Sequence, residues 1–197
     1  VHIGCGLDMR FERVDNDQVE WYDLDLPDVI ELRRKLADGT EPALSESEGA
    51  RHHFLACSVL DSAWLNTVSA HGQRPFLFLA EGVFMYFEEA QVKSLVLMLH
   101  ERFPGAELVF DAFSPFMRWG HNVRVTRTRV GATLHWGLKH GKDLERWGGA
   151  SPTGAGIRLL DQRFPFQYPE PRMHRALKMR LFSPLLATAV GVFRYQL

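Results

Sequence analysis

Short apolar runs alternate along this chain with longer stretches in which apolar residues recur every three or four positions. Turn residues bound the runs, as is typical of buried strands, whereas the longer stretches have the period of amphipathic helices. This alternation predicts an α/β fold with a doubly wound, mostly parallel sheet covered by helices. The predicted strands lie at 1–4, 20–26, 52–57, 76–83, 107–113, near 157–167 and at 190–197.

Residues at the ends of the helical stretches indicate where helices begin and end. Pro27 opens one stretch, because its fixed backbone angle suits a first helical turn. The stretch 88–103 is apolar on one face, and Pro104 and Gly105 end it. After residue 115 the pattern predicts a helix over 116–131, a Gly/Trp-rich stretch to 156 and a helix before the last strand, and residues 38–50 predict a surface loop.

Length and composition agree with one domain spanning residues 1–197, because 46% of the residues are hydrophobic and can fill a single core. Cys5 and Cys57 have no zinc-binding spacing, so we predict no metal site, and two cysteines favour a reducing, cytoplasmic compartment. No apolar run reaches the roughly 20 residues of a membrane span, which predicts no membrane partner. The sequence opens inside a predicted strand, so we expect an N-terminal segment to be missing.

Charge is divided unevenly along the chain. Residues 1–117 carry 9 basic and 20 acidic side chains, whereas residues 118–197 carry 14 basic and 4 acidic ones. A cationic ligand favours the first part and an anionic ligand the second. The alternative is that Arg118, Arg124, Arg127 and Arg129 only form a solvated helix face. The slightly acidic total and the lack of an RNA-binding motif predict no nucleic-acid partner.

The first 25 residues have the spacing of a nucleotide-type cofactor pocket. Gly4 and Gly6 follow the first strand, where glycines let backbone N–H groups approach a ligand closely. Asp25 ends the second strand, close to the roughly 20-residue spacing at which an acid binds ribose hydroxyls. Met9 stands where a dinucleotide site needs a third small residue, which argues against NAD. S-adenosyl-L-methionine, a methyl donor with an adenosine and no pyrophosphate, suits this pattern better.

Five segments carry a family resemblance, in the order GCGLDMR, YDLDLP, ACSVLDSAWL, PFLFLAEGVFMYF and FPGAELVFDAFSP. They resemble the leucine carboxyl methyltransferase family, and within it the bacterial polyketide O-methyltransferases of the tetracenomycin type. The resemblance is strongest over residues 1–115. It implies a class I S-adenosylmethionine-dependent methyltransferase with a Rossmann-like, seven-stranded sheet and an antiparallel last strand. It also implies a helical segment ahead of Val1, and a helical insert at 115–156 that forms part of the acceptor pocket.

The resemblance and the strand ends together assign the cofactor site. The predicted cofactor-binding residues are Gly4, Gly6, Asp8, Arg10, Asp25, Ser58, Val59, Glu81 and Gly82. Asp25 binds the ribose in this interpretation, and the resemblance places Ser58 and Val59 at the adenine ring. Two alternatives stay open, since Asp8 and Arg10 can form an ion pair that only holds the loop, and Asp25 can cap the helix that begins at Pro27.

Two further acids lie in apolar strands. Glu81 ends the strand FLFLAE, so its carboxylate emerges at the carboxyl edge of the sheet, where ligands bind, or else caps the turn. Met85 and Tyr86 follow and are predicted to line the substrate pocket, or to pack in the core. Asp111 lies within a strand and should face polar groups, because an unpaired buried acid is costly.

The acceptor is predicted to be a small molecule, such as a polyketide-like metabolite. A carboxylic acid is ionised at neutral pH and needs no base, whereas a phenol, with a pKa near about 10, benefits from one. The core motifs contain no evident base, which favours a carboxylate acceptor, and only His121 and His135 keep a phenol acceptor open. A nicotinamide-dependent oxidoreductase and a non-catalytic cofactor-binding scaffold remain as alternative functions.

Overall fold

The computed structural model describes residues 1–37, 51–70, 75–129, 131–149, 156–165 and 187–197. The strands are β1 (His2–Ile3), β2 (Trp21–Asp25), β3 (His52–Ala56), β4 (Leu77–Ala80), β5 (Glu107–Phe113), β6 (Arg158–Arg163) and β7 (Val190–Gln196). The α-helices are α1 (Arg10–Val14), α2 (Pro27–Ala37), α3 (Ala63–Ser69), α4 (Glu89–Arg102) and α5 (Pro115–Thr128). Short 3₁₀ helices span Phe84–Tyr86 and Gly141–Arg146.

The strands form one sheet in the order β3-β2-β1-β4-β5-β7-β6. Strand β1 pairs in parallel with both β2 and β4, and β2 pairs in parallel with β3. Strand β7 runs antiparallel to both β5 and β6. The predicted fold is therefore confirmed, including the antiparallel last strand.

The predicted elements agree with the structure to within a few residues at most boundaries. The helix predicted at 116–131 is α5, and it begins one residue earlier because Ser114 accepts a hydrogen bond from the Met117 amide and caps the helix. Helices α1 and α3 were not predicted, because five and seven residues are too few to show a helical period. The loop at 38–50 and most of the helix predicted before β7 lie outside the described residues. Within the described part of the chain, every helix is too short or too polar to cross a membrane.

The chain divides into two compact units, Val1–Glu81 and Gly82–Leu197. In the first unit β1 and β2 are buried on both faces, because consecutive residues of each are buried, whereas β4 buries only Phe78 and Ala80 and β3 is half-buried. Continuous apolar runs are the usual sequence of such strands.

The second unit is built around Phe110 of β5. Its ring stacks on Tyr195 of β7 at 5.6 Å and lies 5.1 Å from Phe84, between ring centroids. Phe193 and Trp136 each lie 5.9 Å from it. Alternate residues of β5 are buried, which is the period of a strand with one face against a core.

Candidate functional site

Strands β1, β2, β3 and β4 are parallel, so their carboxyl ends lie along one edge of the first unit. The segments that leave these ends contain the loop after β1, Asp25, Ser58 and Glu81. This is the edge where open α/β sheets bind ligands.

The loop after β1 turns on glycines in the left-handed region. Gly4 and Gly6 have φ values of 66° and 52°, which L side chains rarely adopt. The Gly6 amide donates a 2.8 Å hydrogen bond to Oδ2 of Asp25. A Cβ added at Gly6 would meet no atom within 4 Å, so the space above this glycine is open to a ligand.

Asp25 holds the loop and also contacts the residue that precedes the next helix. While Oδ2 binds the Gly6 amide, Oδ1 accepts a 2.8 Å hydrogen bond from the Leu26 amide, just before α2. The Leu26 amide precedes the first helical residue, whereas a capping side chain accepts from the second or third amide of the helix, so the capping alternative stays a prediction. Two carboxylate oxygens offer about four lone pairs, so Asp25 retains capacity for hydroxyl donors.

Arg10 links the loop to the end of β4. Its guanidinium lies 2.7 Å from Glu81 Oε2 and 2.9 Å from Asp8 Oδ2. Arg13 adds a 3.2 Å contact with Asp8 Oδ1. The ion pair that sequence analysis left open for Asp8 and Arg10 is thus formed. Glu81 remains 67% exposed, and Arg10 contacts only one of its two carboxylate oxygens.

Asp23, two residues before Asp25, is buried beneath this edge. It accepts 2.8 Å hydrogen bonds from Trp21 Nε1 and from His52 Nε2, and its Oδ2 lies 2.9 Å from the Arg33 guanidinium. Burial raises the pKa of Asp23, but hydrogen bonds from its neighbours and Arg33 outweigh burial and hold the pKa well below the usual value. Sequence analysis attached no role to Arg33.

Cys5 lies in the glycine loop with its thiol buried. Burial first, and Asp23 second, raise the pKa of this thiol to about 12. A neutral thiol is a poor nucleophile, so Cys5 fills space in the loop.

Ser58 and Val59 follow β3 and differ in exposure. Ser58 is exposed, and its Oγ accepts a hydrogen bond from the Leu60 amide. The Val59 side chain is buried, and its carbonyl accepts a 3.1 Å bond from Trp64 Nε1. A ligand in this region therefore meets the Ser58 side chain rather than that of Val59.

The second unit begins with a turn that Asp111 fixes. Gly82 has a φ of 67°, and its amide donates a 2.7 Å hydrogen bond to Asp111 Oδ1 in β5. Sequence analysis predicted that Asp111 faces polar groups, and the Gly82 amide is one such group. Met85 is buried, as the core alternative predicted, whereas Tyr86 is 46% exposed.

The two candidate bases have different partners. His121 Nε2 donates a 2.9 Å hydrogen bond to the Ala132 carbonyl, which ties α5 to the following segment. His135 Nδ1 lies 2.7 Å from Glu88 Oε1, and its backbone amide donates to the Met85 carbonyl. A neutral His135 that donates Nδ1–H to Glu88 keeps a lone pair on Nε2.

A cavity of about 600 Å³ opens in the second unit at the end of β5. Its lining includes cationic Lys139, Lys142 and Arg146 and the apolar side chains of Leu138 and Phe193. Such a mixture suits an anionic molecule with an apolar body.

A solved methyltransferase has the same fold as this chain. Magnesium protoporphyrin IX methyltransferase from Synechocystis, solved with bound SAH, aligns with a TM-score of 0.57 over 99% of this chain and 72% of that protein. Because only 9% of residues are identical, the likeness concerns the fold alone. The fold is that of the class I S-adenosylmethionine-dependent methyltransferases.

Sequence similarity then defines the family. Residues 1–100 match the pattern of the leucine carboxyl methyltransferases. The tetracenomycin polyketide synthesis O-methyltransferase TcmP of Streptomyces glaucescens is 37% identical over 150 residues, which are 74% of this chain and 50% of TcmP. An S-adenosyl-L-methionine-dependent methyltransferase of Gibberella zeae, dpfgK, is 33% identical over 118 residues, 57% of this chain and 38% of that protein.

The chain therefore belongs to the leucine carboxyl methyltransferase family, as the five segments predicted. It spans half of TcmP and a smaller share of dpfgK.

Proposed function

We propose that this chain acts in an S-adenosylmethionine-dependent O-methyltransferase, where it binds the cofactor and takes part in methylating a carboxylate on a small molecule of secondary metabolism. The observation that carries the proposal is the Gly6 amide held on Asp25, with open space above the glycine. Family membership supports the choice of cofactor. The similarity to TcmP, whose name places it in polyketide synthesis, supports the choice of acceptor class.

The residues at the edge of the first unit fit this cofactor in charge and shape. Gly4 and Gly6 leave room for the methionine part, and the exposed carboxylate of Glu81 suits the cationic ligand. Asp25 would accept hydrogen bonds from the ribose, and Ser58 would offer its hydroxyl to the adenine. Asp8 and Arg10 hold the loop through their ion pair.

The bound cofactor supplies a methyl group on a sulfonium that already carries its leaving group. The remaining task of the protein is to align the acceptor with the methyl group, and alignment can lower the barrier by roughly 7–11 kcal/mol. A general base typically adds a factor of about 10²–10⁴ in rate, which corresponds to only about 3–5 kcal/mol. A carboxylate acceptor is ionised at neutral pH and needs only to be held in line.

Charge in the second unit favours an anionic acceptor. Lys139, Lys142 and Arg146 line the cavity at the end of β5, and Asp143 is the acid among its lining residues. Apolar walls there suit the body of an aromatic or polyketide-like acid.

Ligand binding tests the proposal first. S-adenosylmethionine, or its demethylated product, should raise the melting temperature of the full-length protein, because a ligand at 100 times its dissociation constant adds about 2.7 kcal/mol. NADH at the same concentration is the control and should give no shift. Stabilisation by NADH alone would favour the oxidoreductase alternative.

Methyl transfer from a labelled cofactor distinguishes an enzyme from a non-catalytic cofactor-binding scaffold. The proposal expects radioactive methyl to appear on members of a panel of small carboxylic acids. Tight cofactor binding with no transfer to acids, phenols, alcohols or amines would favour the non-catalytic scaffold.

Glu81→Gln should weaken cofactor binding about tenfold with little loss of fold stability. The change removes one charge-assisted interaction with a cationic ligand, and an exposed carboxylate contributes little packing. Calorimetry measures the affinity, and thermal unfolding of the free protein measures the stability. Equal melting-temperature losses with and without ligand would instead give Glu81 a structural role through Arg10.

A further inference from the structure

Arg33 reaches from α2 to the underside of the loop after β1. Its NH1 donates hydrogen bonds to the carbonyl of Asp8 at 2.5 Å and to that of Gly6 at 3.3 Å. Its NH2 lies 2.9 Å from Asp23 Oδ2 in β2. The side chain is 7% exposed, and its guanidinium lies 5.6 Å from the centre of the Phe54 ring.

The anion that holds Arg33 is itself fixed. Trp21 and His52 donate to the Asp23 carboxylate from β2 and β3, and His2 Nδ1 lies 3.3 Å away in β1. Asp23 is 1% exposed. Three strands of the sheet therefore contribute the groups that hold the carboxylate facing the guanidinium.

A buried ion pair is a poor source of stability, since desolvation offsets much of the attraction between the charges. The effect of this ion pair is instead to place the Arg33 guanidinium against the loop after β1. Gly6 is held at its amide by Asp25 and at its carbonyl by Arg33, so both ends of this residue's polar backbone are anchored to β2 and α2. The protein's own side chains thus restrain the loop backbone, and a restrained loop reduces the cost of binding.

We propose that Arg33, anchored by Asp23, is a positioning residue that holds the glycine loop and Asp25 in the arrangement that binds the cofactor. This inference rests on the proposed function for the identity of the ligand. Arg33 contacts the backbone of the loop, and it acts on the cofactor through that backbone.

The test compares Arg33→Lys with Arg34→Lys in the full-length protein. A lysine carries one cationic centre and cannot serve a carboxylate and two carbonyls with the planar fork of arginine. Arg34 is the matched control because it is the next residue of α2 and its guanidinium lies 5.7 Å from the same Phe54 ring. Asp23→Asn, which keeps the side chain's size and removes its charge, weakens the anchor from the other side and serves as a second variant.

Two measurements are made at a temperature where the free variants remain folded. Calorimetry with the demethylated cofactor should show about tenfold weaker binding for Arg33→Lys, a smaller loss for Asp23→Asn, and none for Arg34→Lys. Amide hydrogen exchange without ligand should become faster at Gly6–Met9 in Arg33→Lys, with no change in α3.

Unchanged loop exchange in both Arg33→Lys and Asp23→Asn would overturn the inference, whatever the ligand. Faster loop exchange with unchanged affinity would also overturn it, because the loop would then be held without consequence for the cofactor. If the wild-type protein binds no S-adenosylmethionine or demethylated product, the proposed function fails, and loop exchange still decides whether Arg33 orders the loop.

Discussion

Asp25→Ala should weaken the binding of S-adenosylmethionine about 100-fold while the free protein still folds. Hydrogen bonds to a charged group contribute about 1.5–3 kcal/mol each, and about 1.4 kcal/mol corresponds to a tenfold change in affinity. The variant loses the acceptors for the ribose and also releases the Gly6 amide from Oδ2. Calorimetry with the cofactor and with its demethylated product measures the loss.

Asp28→Ala is the control for this experiment. Asp28 is an exposed acid in the first turn of α2, so the variant removes the same charge near the same helix end. It should bind the cofactor like the wild type. An Asp25→Ala variant with unchanged affinity would mean that Asp25 acts only on the Gly6 and Leu26 amides, and the ribose assignment would be wrong.

The residues at the edge of the first unit could be predicted from the sequence, because each lies where a strand ends. A parallel sheet brings the carboxyl ends of its strands to one edge, so the positions of Gly6, Asp25 and Glu81 follow once the strands are located. The sequence could not decide between a structural and a ligand-binding role where one side chain has two possible partners. Asp25 touches both the loop and the start of α2, and Arg10 touches both Asp8 and Glu81.

Arg33 could not be found from the sequence, because α2 does not follow the usual distribution of polar and apolar residues. Leu32 and Leu36 are 49% and 59% exposed, whereas Arg33 is buried beside Ile30, one helical turn away. A hydrophobic pattern would place the leucines inside. Only the position of Asp23, at the centre of its hydrogen-bonded neighbours, explains why a charged side chain lies there instead.

The pairing of His135 with Glu88 was also beyond the sequence. The two residues are far apart along the chain, and the contact depends on the Met85 carbonyl, which accepts from the His135 and Trp136 amides and fixes that segment. No local period encodes such a contact. Sequence analysis therefore treated His121 and His135 as equal candidates for a base, whereas in the structure His121 Nε2 donates to a backbone carbonyl.

Small carboxylic acids should be methylated much faster than the matching phenols, at rates that change little from about pH 6 to about pH 9. A carboxylic acid with a pKa near about 4 is ionised throughout this range, whereas a phenol with a pKa near about 10 is ionised only to about one part in 1000 at neutral pH. Without a base, the phenol rate should therefore be limited by this small ionised fraction and should rise with pH throughout the range, unlike the rate of the acid. Transfer of labelled methyl to matched acids and phenols measures both quantities.

The pH profile also decides whether His135 acts as a base. Protonated imidazole cannot accept a proton, so a rate that depends on a histidine base rises with pH as the imidazole loses its proton. Such a rise, abolished in His135→Ala and retained in His121→Ala, would contradict the carboxylate proposal. It would mean that the Glu88 carboxylate orients His135 Nδ1–H and that Nε2 removes the proton of a phenol. A flat profile in the wild type and in both variants would leave alignment in the basic cavity as the source of the preference for acids.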